Sequence, residues 1–214
     1  MAKVPIAGAV KTRLSPPLTP GQAAELACRF LQDRVEQLGE VAASDRLVAF
    51  TPPERESELR VLMPPGVRLL PQVGADLGAR MDRLLSDLLA EGYAGAIALG
   101  TDTPTLPTAF LGEACEALRS GAADTVLGPS EDGGYYLIGL STPAPELFVN
   151  VPWSTAAVYA ETLTRARVTG RRVSVLPCWF DVDRAGDLAQ LGRELEPGAY
   201  RPRRTLAFLA ELTL

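Results

Sequence analysis

The stretch AGAIALGTDTP, residues 94–104, decides how the rest of the chain is read. Residues 94–100 are a short apolar run of the kind found in a strand buried on both faces of a sheet. It breaks at Gly100 into the polar, turn-forming Thr101-Asp102-Thr103-Pro104. Such a strand needs helices to cover it, and both flanks supply them. Residues 76–91 place Leu77, Met81, Leu84, Leu85, Leu88 and Leu89 on one side of a helix, and residues 107–119 predict the next one.

The same alternation continues outward. Residues 3–18 hold Pro5, Gly8, Pro16 and Pro17 and read as a loop. Thr19, Pro20 and Gln22 form a capping box with proline at the first helical position, and Gly39 ends that helix. Residues 46–51 and 67–72 are strand candidates, the second weakened by Pro71, with a short charged helix after Pro52-Pro53. Residues 125–128 and 135–140 are strands around GPSEDGG. A helix over 154–168 takes Ser154 as its cap. Residues 173–176 are a strand, Asp183 caps a helix reaching Leu195, and residues 204–212 are a last amphipathic helix. Alternating strands and helices predict an α/β class with a mostly parallel sheet covered on both faces. Residues 1–214 show no repeat and no low-complexity linker, so one domain is expected.

Composition narrows the chemistry. Of 214 residues, 47% are hydrophobic and 22% charged, enough to build a core. The net charge of -5 argues against a general nucleic-acid or membrane-surface binder. No stretch is long enough to span a membrane, and the N-terminus has no apolar signal region. There is no histidine, which removes histidine nucleophile activation, acid–base work and metal ligation together. Cys28, Cys115 and Cys178 are far apart and lie in apolar settings. They read as buried small hydrophobes in a reducing, cytoplasmic compartment, without a disulfide framework or zinc site. Of 21 basic residues only Lys3 and Lys11 are lysines, and both fall in the first loop. That bias hints that the ammonium group itself is wanted there.

Ligands of open α/β sheets bind at the carboxyl ends of strands. In the first loop Gly8 permits close ligand approach, and Lys11 and Arg13 point the same way if the loop is extended. Two cations flanking Thr12 suit a di- or triphosphate, or simply make a solvated basic loop. Asp102, after the buried strand, is placed to hold Mg²⁺ or Mn²⁺, or to serve as a turn cap. In GPSEDGG, Glu131 or Asp132 faces a substrate over Gly133 and Gly134, or the segment is a tight turn. Asp181 and Asp183 share one side of an extended chain and can complete a metal site with Asp102, or Asp183 caps a helix. Trp153 is an aromatic wall or a core residue.

The ordered motifs KxPxxGxVKTRL, GTDTPTLP, GPSEDGGYYLIGL, VPWST and DVDxxxDL cover residues 3 to 190. They resemble the bacterial glycosyltransferase-like family of the nucleotide-diphospho-sugar transferase superfamily, some of whose members are labelled arsenosugar-biosynthesis or radical-SAM/selenodomain-associated transferases. More distantly the chain is similar to phospholactate and molybdenum-cofactor guanylyltransferases. The resemblance implies a three-layer α/β/α, Rossmann-like GT-A fold with a mostly parallel mixed sheet, binding a nucleotide and Mg²⁺ or Mn²⁺. It implies that Lys3, Gly8, Lys11, Thr12 and Arg13 meet nucleotide phosphates, that Asp102 holds the metal and that Asp183 is a second metal or substrate contact. It further implies that Glu131, Asp132, Gly133 and Gly134 face the sugar or acceptor. In that family an apolar strand precedes the loop. Here only Met1 and Ala2 precede Lys3, so the first strand is expected to be truncated: either the start lies further upstream, with about six to ten apolar residues encoded in frame before Met1, or the chain really lacks that strand.

The expected activity is metal-dependent transfer from a nucleotide-activated substrate to a small-molecule acceptor. Glycosyl transfer from a nucleotide-sugar stands first. Nucleotidyl transfer from a nucleoside triphosphate, or a non-catalytic nucleotide-binding module, stand as alternatives. Asp102, Asp132 and Glu131 are the candidate catalytic residues.

Overall fold

The computed structural model describes residues 1–42, 44–191 and 198–212. In chain order the elements are β1 (Ala2–Lys3), α1 (Pro20–Leu38), β2 (Leu47–Thr51), α2 (Glu56–Leu62), β3 (Arg68–Pro71), α3 (Leu77–Ala90), β4 (Ala96–Leu99), α4 (Thr108–Arg119), β5 (Thr125–Pro129), β6 (Tyr135–Leu140), α5 (Val158–Val168), β7 (Val173–Val175), α6 (Ala185–Leu191) and α7 (Arg203–Glu211). They divide into two units. The first comprises Met1–Pro71, Thr101–Thr108 and Asp181–Leu214, and the second Gln72–Gly100 and Ala109–Phe180.

In the first unit the sheet order is β1-β2-β3, all parallel. The predicted loop thus begins with two strand residues, Ala2 and Lys3, paired with Phe50 and Thr51. Val4 extends the ladder by donating its N–H to the Thr51 carbonyl. Val4, Val48, Phe50 and Leu69 are buried against Leu31 and Val35 of α1 and Leu59 of α2. Such burial is the main favourable term in holding the layers together. The capping box forms as expected: the Thr19 side chain accepts the Gln22 N–H, and Gln22 Oε1 accepts the Thr19 N–H. Asp33 of α1, buried, accepts the Arg204 and Thr205 N–H groups and so caps α7 from another helix.

In the second unit the order is β4-β6-β5-β7. β6 runs antiparallel to β4 and β5, while β5 and β7 are parallel. The short connection at residues 130–134 forces this, because a parallel crossover needs a dozen or more residues. Gly139 lies where a Cβ would meet Leu118 of α4 at 3.0 Å and Ile97 of β4 at 3.1 Å, so the helix packs flush on the sheet.

Two local expectations are corrected. The helix expected over 154–168 begins at Val158, and Ser154 is not its cap. Ser154 has φ 65 in the preceding turn, and Ala157 stands at the cap position. Cys178 is exposed and Cys115 half-buried, so only Cys28 fits the buried reading. Pro177 before Cys178 and Trp179 after it carry the backbone contacts there, and the thiol is left outside. The expected end of α6 at Leu195 lies outside the described residues.

Candidate functional site

The site grows from the loop after β1. Gly8 has φ 78, Val10 is buried, and Lys11 itself is left-handed at φ 47 and ψ 35. A 3-10 turn, Thr12–Leu14, follows, and Leu14 is fully buried as its anchor. The extended loop expected here is therefore absent. Lys11 and Arg13 do not project together: the Lys11 side chain is 7% exposed, whereas Arg13 lies outside. A left-handed residue followed by a tight turn reverses the chain and sends the Lys11 side chain inward.

There the Lys11 ammonium meets three oxygens. Nζ lies 2.7 Å from Asp102 Oδ1, 2.7 Å from Asp183 Oδ1 and 2.7 Å from the Val182 carbonyl. An ammonium has three N–H donors, so all three are used. The Phe30 ring of α1 stands 5.6 Å away on another side.

Other residues fix the two aspartates. Arg34, buried in α1, donates to the Thr103 carbonyl and to Thr103 Oγ1 at 2.9 Å. Gln37, one turn on, donates to the Leu106 carbonyl at 2.6 Å. Together they pin the segment that carries Asp102. The Val182 N–H donates to the Asp102 carbonyl at 2.8 Å, tying the DVD segment to it. Asp187 accepts the N–H groups of Asp183 and Arg184, so Asp187 takes the capping work expected of Asp183. The Asp183 carboxylate is thereby left for Lys11.

The charges reinforce one another. Burial alone would lower the Lys11 pKa, but Asp102 and Asp183 outweigh it and hold it above the usual lysine value. Burial alone would raise that of Asp183, but Lys11, a hydrogen bond from Asp181 and the Arg13 charge hold it below the usual carboxylate value. The two carboxylate side chains keep 46% and 38% exposure while the ammonium between them is enclosed.

Two carboxylates and no nitrogen or sulfur ligand suit a hard divalent cation. Mg²⁺ commonly takes one or two protein carboxylates and completes its shell with water and substrate phosphate. Asp102 and Asp183 fit that requirement. No group of three or more His, Cys, Asp or Glu side chains placed for a metal occurs among the described residues.

Lys3, Gly8, Thr12 and Arg13 are all exposed around the loop. Glu131, Asp132, Gly133, Gly134 and Trp153 belong to the second unit. Glu131 and Asp132 are exposed, and Asp132 Oδ1 accepts the Gly134 N–H at 2.8 Å. Gly133 has φ 87, and a Cβ there would stand 2.2 Å from the Ala156 carbonyl oxygen. Trp153 packs edge-on to Tyr135, with centroids 6.4 Å apart, and lies over Gly78, where a Cβ would meet its ring at 2.7 Å. Sequence reasoning missed the Val182 carbonyl, Phe30 and the Arg34–Thr103 anchor. The alternation in DVD hints that Val182 faces inward, but nothing local marks the others.

Comparison with known proteins extends this picture. Residues 34–155 match the profile of a family described as "Uncharacterized protein conserved in bacteria (DUF2064)". The chain is similar to a solved structure from Desulfovibrio desulfuricans G20, provisionally described as a nucleotide-diphospho-sugar transferase. The identity is 32% and the TM-score 0.91, over 98% of this chain and 91% of that one. It is also similar in fold to CMP:2-keto-3-deoxy-manno-octonic acid synthetase complexed with CTP. There the identity is 13% and the TM-score 0.52, over 76% of this chain and 85% of that one. No curated protein matches the chain. The mostly parallel mixed α/β fold expected from the motifs is thus the fold of these structures. No helix among the described residues is long and apolar enough to cross a membrane.

Proposed function

Because the chain belongs to the bacterial DUF2064 family, we propose that it is a metal-dependent transferase that moves a glycosyl group from a nucleotide-sugar to a small-molecule acceptor. Its likeness to the Desulfovibrio protein supports a nucleotide-related transferase. The observation that carries the reading is the Lys11–Asp102–Asp183 cluster, with the exposed Lys3, Thr12 and Arg13 in the same loop.

The barrier in such a transfer comes from charge building on the departing phosphate. Lys11 and Arg13 supply cations to that charge, Thr12 a hydroxyl donor, and Gly8 lets the backbone approach. Asp102 and Asp183 would hold Mg²⁺ or Mn²⁺, which supplies further positive charge to the phosphate oxygens. Asp132 already accepts the Gly134 N–H, which favours Glu131 as the carboxylate that orients or deprotonates the acceptor hydroxyl. Gly133 and Gly134 shape the turn that carries it, and Trp153 packs alongside. No histidine is required by this chemistry.

The exposed Thr12 and Arg13 also suit a triphosphate, which gives a second reading, nucleotidyl transfer from a nucleoside triphosphate. The products separate the two. A panel of nucleotide-sugars and nucleoside triphosphates with Mg²⁺ or Mn²⁺ is expected to release nucleoside diphosphate. Asp102→Ala should lower that rate by about a hundredfold or more. Pyrophosphate release would select the second reading. Binding with neither product would leave a nucleotide-binding module.

A further inference from the structure

We propose that Lys11 is a resident cation that keeps the Asp102–Asp183 pair closed to divalent metal until nucleotide phosphate draws its ammonium away. The inference rests on the reading of the site given above and goes past it to the order of binding.

Three observations meet here. The ammonium sits at the point where both carboxylates converge, and its third donor is bound by the Val182 carbonyl, so it is fully partnered without ligand. The side chain reaches this point from a left-handed backbone that a residue with a Cβ rarely adopts. Strain of that kind persists only where the surroundings enforce it, and here three oxygens and Leu14 do so. Finally, among the described residues no group of three or more carboxylates is placed to hold a metal, so a divalent shell here needs phosphate oxygens as well.

A divalent ion arriving alone therefore meets a pair whose charge is already half neutralised, at a position an ammonium occupies. A di- or triphosphate changes both conditions. Its oxygens accept from Lys11 Nζ in place of the aspartates, and the same oxygens complete the metal shell. Metal and nucleotide then enter together, each raising the affinity for the other.

The test is Mn²⁺ binding to the full chain, followed by calorimetry and by electron paramagnetic resonance of free Mn²⁺. Lys11→Gly is the variant of choice, since φ 47 suits glycine. The wild-type chain should bind Mn²⁺ weakly alone and at least about tenfold more tightly with a nucleoside diphosphate present. Lys11→Gly should bind Mn²⁺ alone at least about tenfold more tightly than wild type, and Mn²⁺ should raise its melting temperature. The double variant Lys11→Gly, Asp183→Asn should lose both effects. If Lys11→Gly does not fold even with Mn²⁺, Lys11→Gln is held to the same tenfold criterion. Should the Lys11 variant bind Mn²⁺ no more tightly than wild type, while wild type with nucleotide binds it well, the inference fails and the transferase reading stands. Absence of Mn²⁺ binding by every chain, with or without nucleotide, overturns both the inference and the metal dependence.

Discussion

Lys11 stores backbone strain of about 1–3 kcal/mol, and its three oxygen partners hold it there. Its pairing predicts a stability profile with two limits. A lysine held above its usual 10.5 contributes stability that is complete below that pH and is lost as pH rises through the folded value. An aspartate held below its usual 3.8 contributes stability present above that pH and lost as pH falls through the folded value. Urea midpoints of the wild type should therefore decline above pH 10.5 and below pH 3.8. Asp183→Asn should flatten the acid limb; an unchanged acid limb would remove Asp183 from the account. Two glycines offer a second contrast. Gly133→Ala forces a Cβ to 2.2 Å from the Ala156 carbonyl oxygen and should cost about 3 kcal/mol or more. Gly8→Ala, with nothing within 4 Å, should cost about 1 kcal/mol, from backbone strain alone. Thermal melts of the two decide whether the contact or the backbone angle dominates. Lys11, Asp102 and Asp183 were legible as candidates because each sits in a polar motif after a strand. Asp102 and Asp183 were already grouped as one possible site, but their joining by Lys11 was not legible, because the left-handed turn at Lys11 replaces the extended loop that the spacing suggested.

Elements were readable where their signals are local. The Thr19–Gln22 box forms within one helical turn, so its residues announce it. The cap of α7 is held by Asp33, 171 residues before Arg204, and no local pattern reveals such a partner. This difference is testable. Thr19→Ala should weaken α1 by about 1 kcal/mol, whereas Asp33→Ala strips a buried cap from α7 and should cost about 2 kcal/mol. Hydrogen exchange should show the second loss in the amides of α7, including Arg204 and Thr205. Uniform acceleration across the chain would instead mean that α7 does not open separately. Ser154 was misread because a serine before an apolar-periodic run looks like a cap, while its φ of 65 places it in the turn at Trp153 and Thr155. The antiparallel placement of β6 followed from the length of its connection, which the sequence does display.

For the whole molecule, ligand linkage gives the broadest check. A nucleotide with its metal at about 100 times the dissociation constant should add about 2.7 kcal/mol. For a chain of this size that raises the melting temperature by several degrees, at about 2–4 °C per kcal/mol. A shift that requires both metal and nucleotide agrees with the gated order of entry, and a full shift with metal alone opposes it. The α/β class was readable from alternation and from one doubly buried strand, since burial leaves a periodic trace. Substrate identity leaves no such trace, because it depends on which atoms converge in space. The lysine usage has one more outcome. With 19 arginines and two lysines, and with the Lys11 side chain shielded by its partners, Lys3 is the one lysine amine open to solvent. An acylating dye should therefore label a lysine at a single place, at the start of the loop that carries Gly8 and Lys11. The protein comes ready for use as a fluorescent reporter, without engineered cysteines.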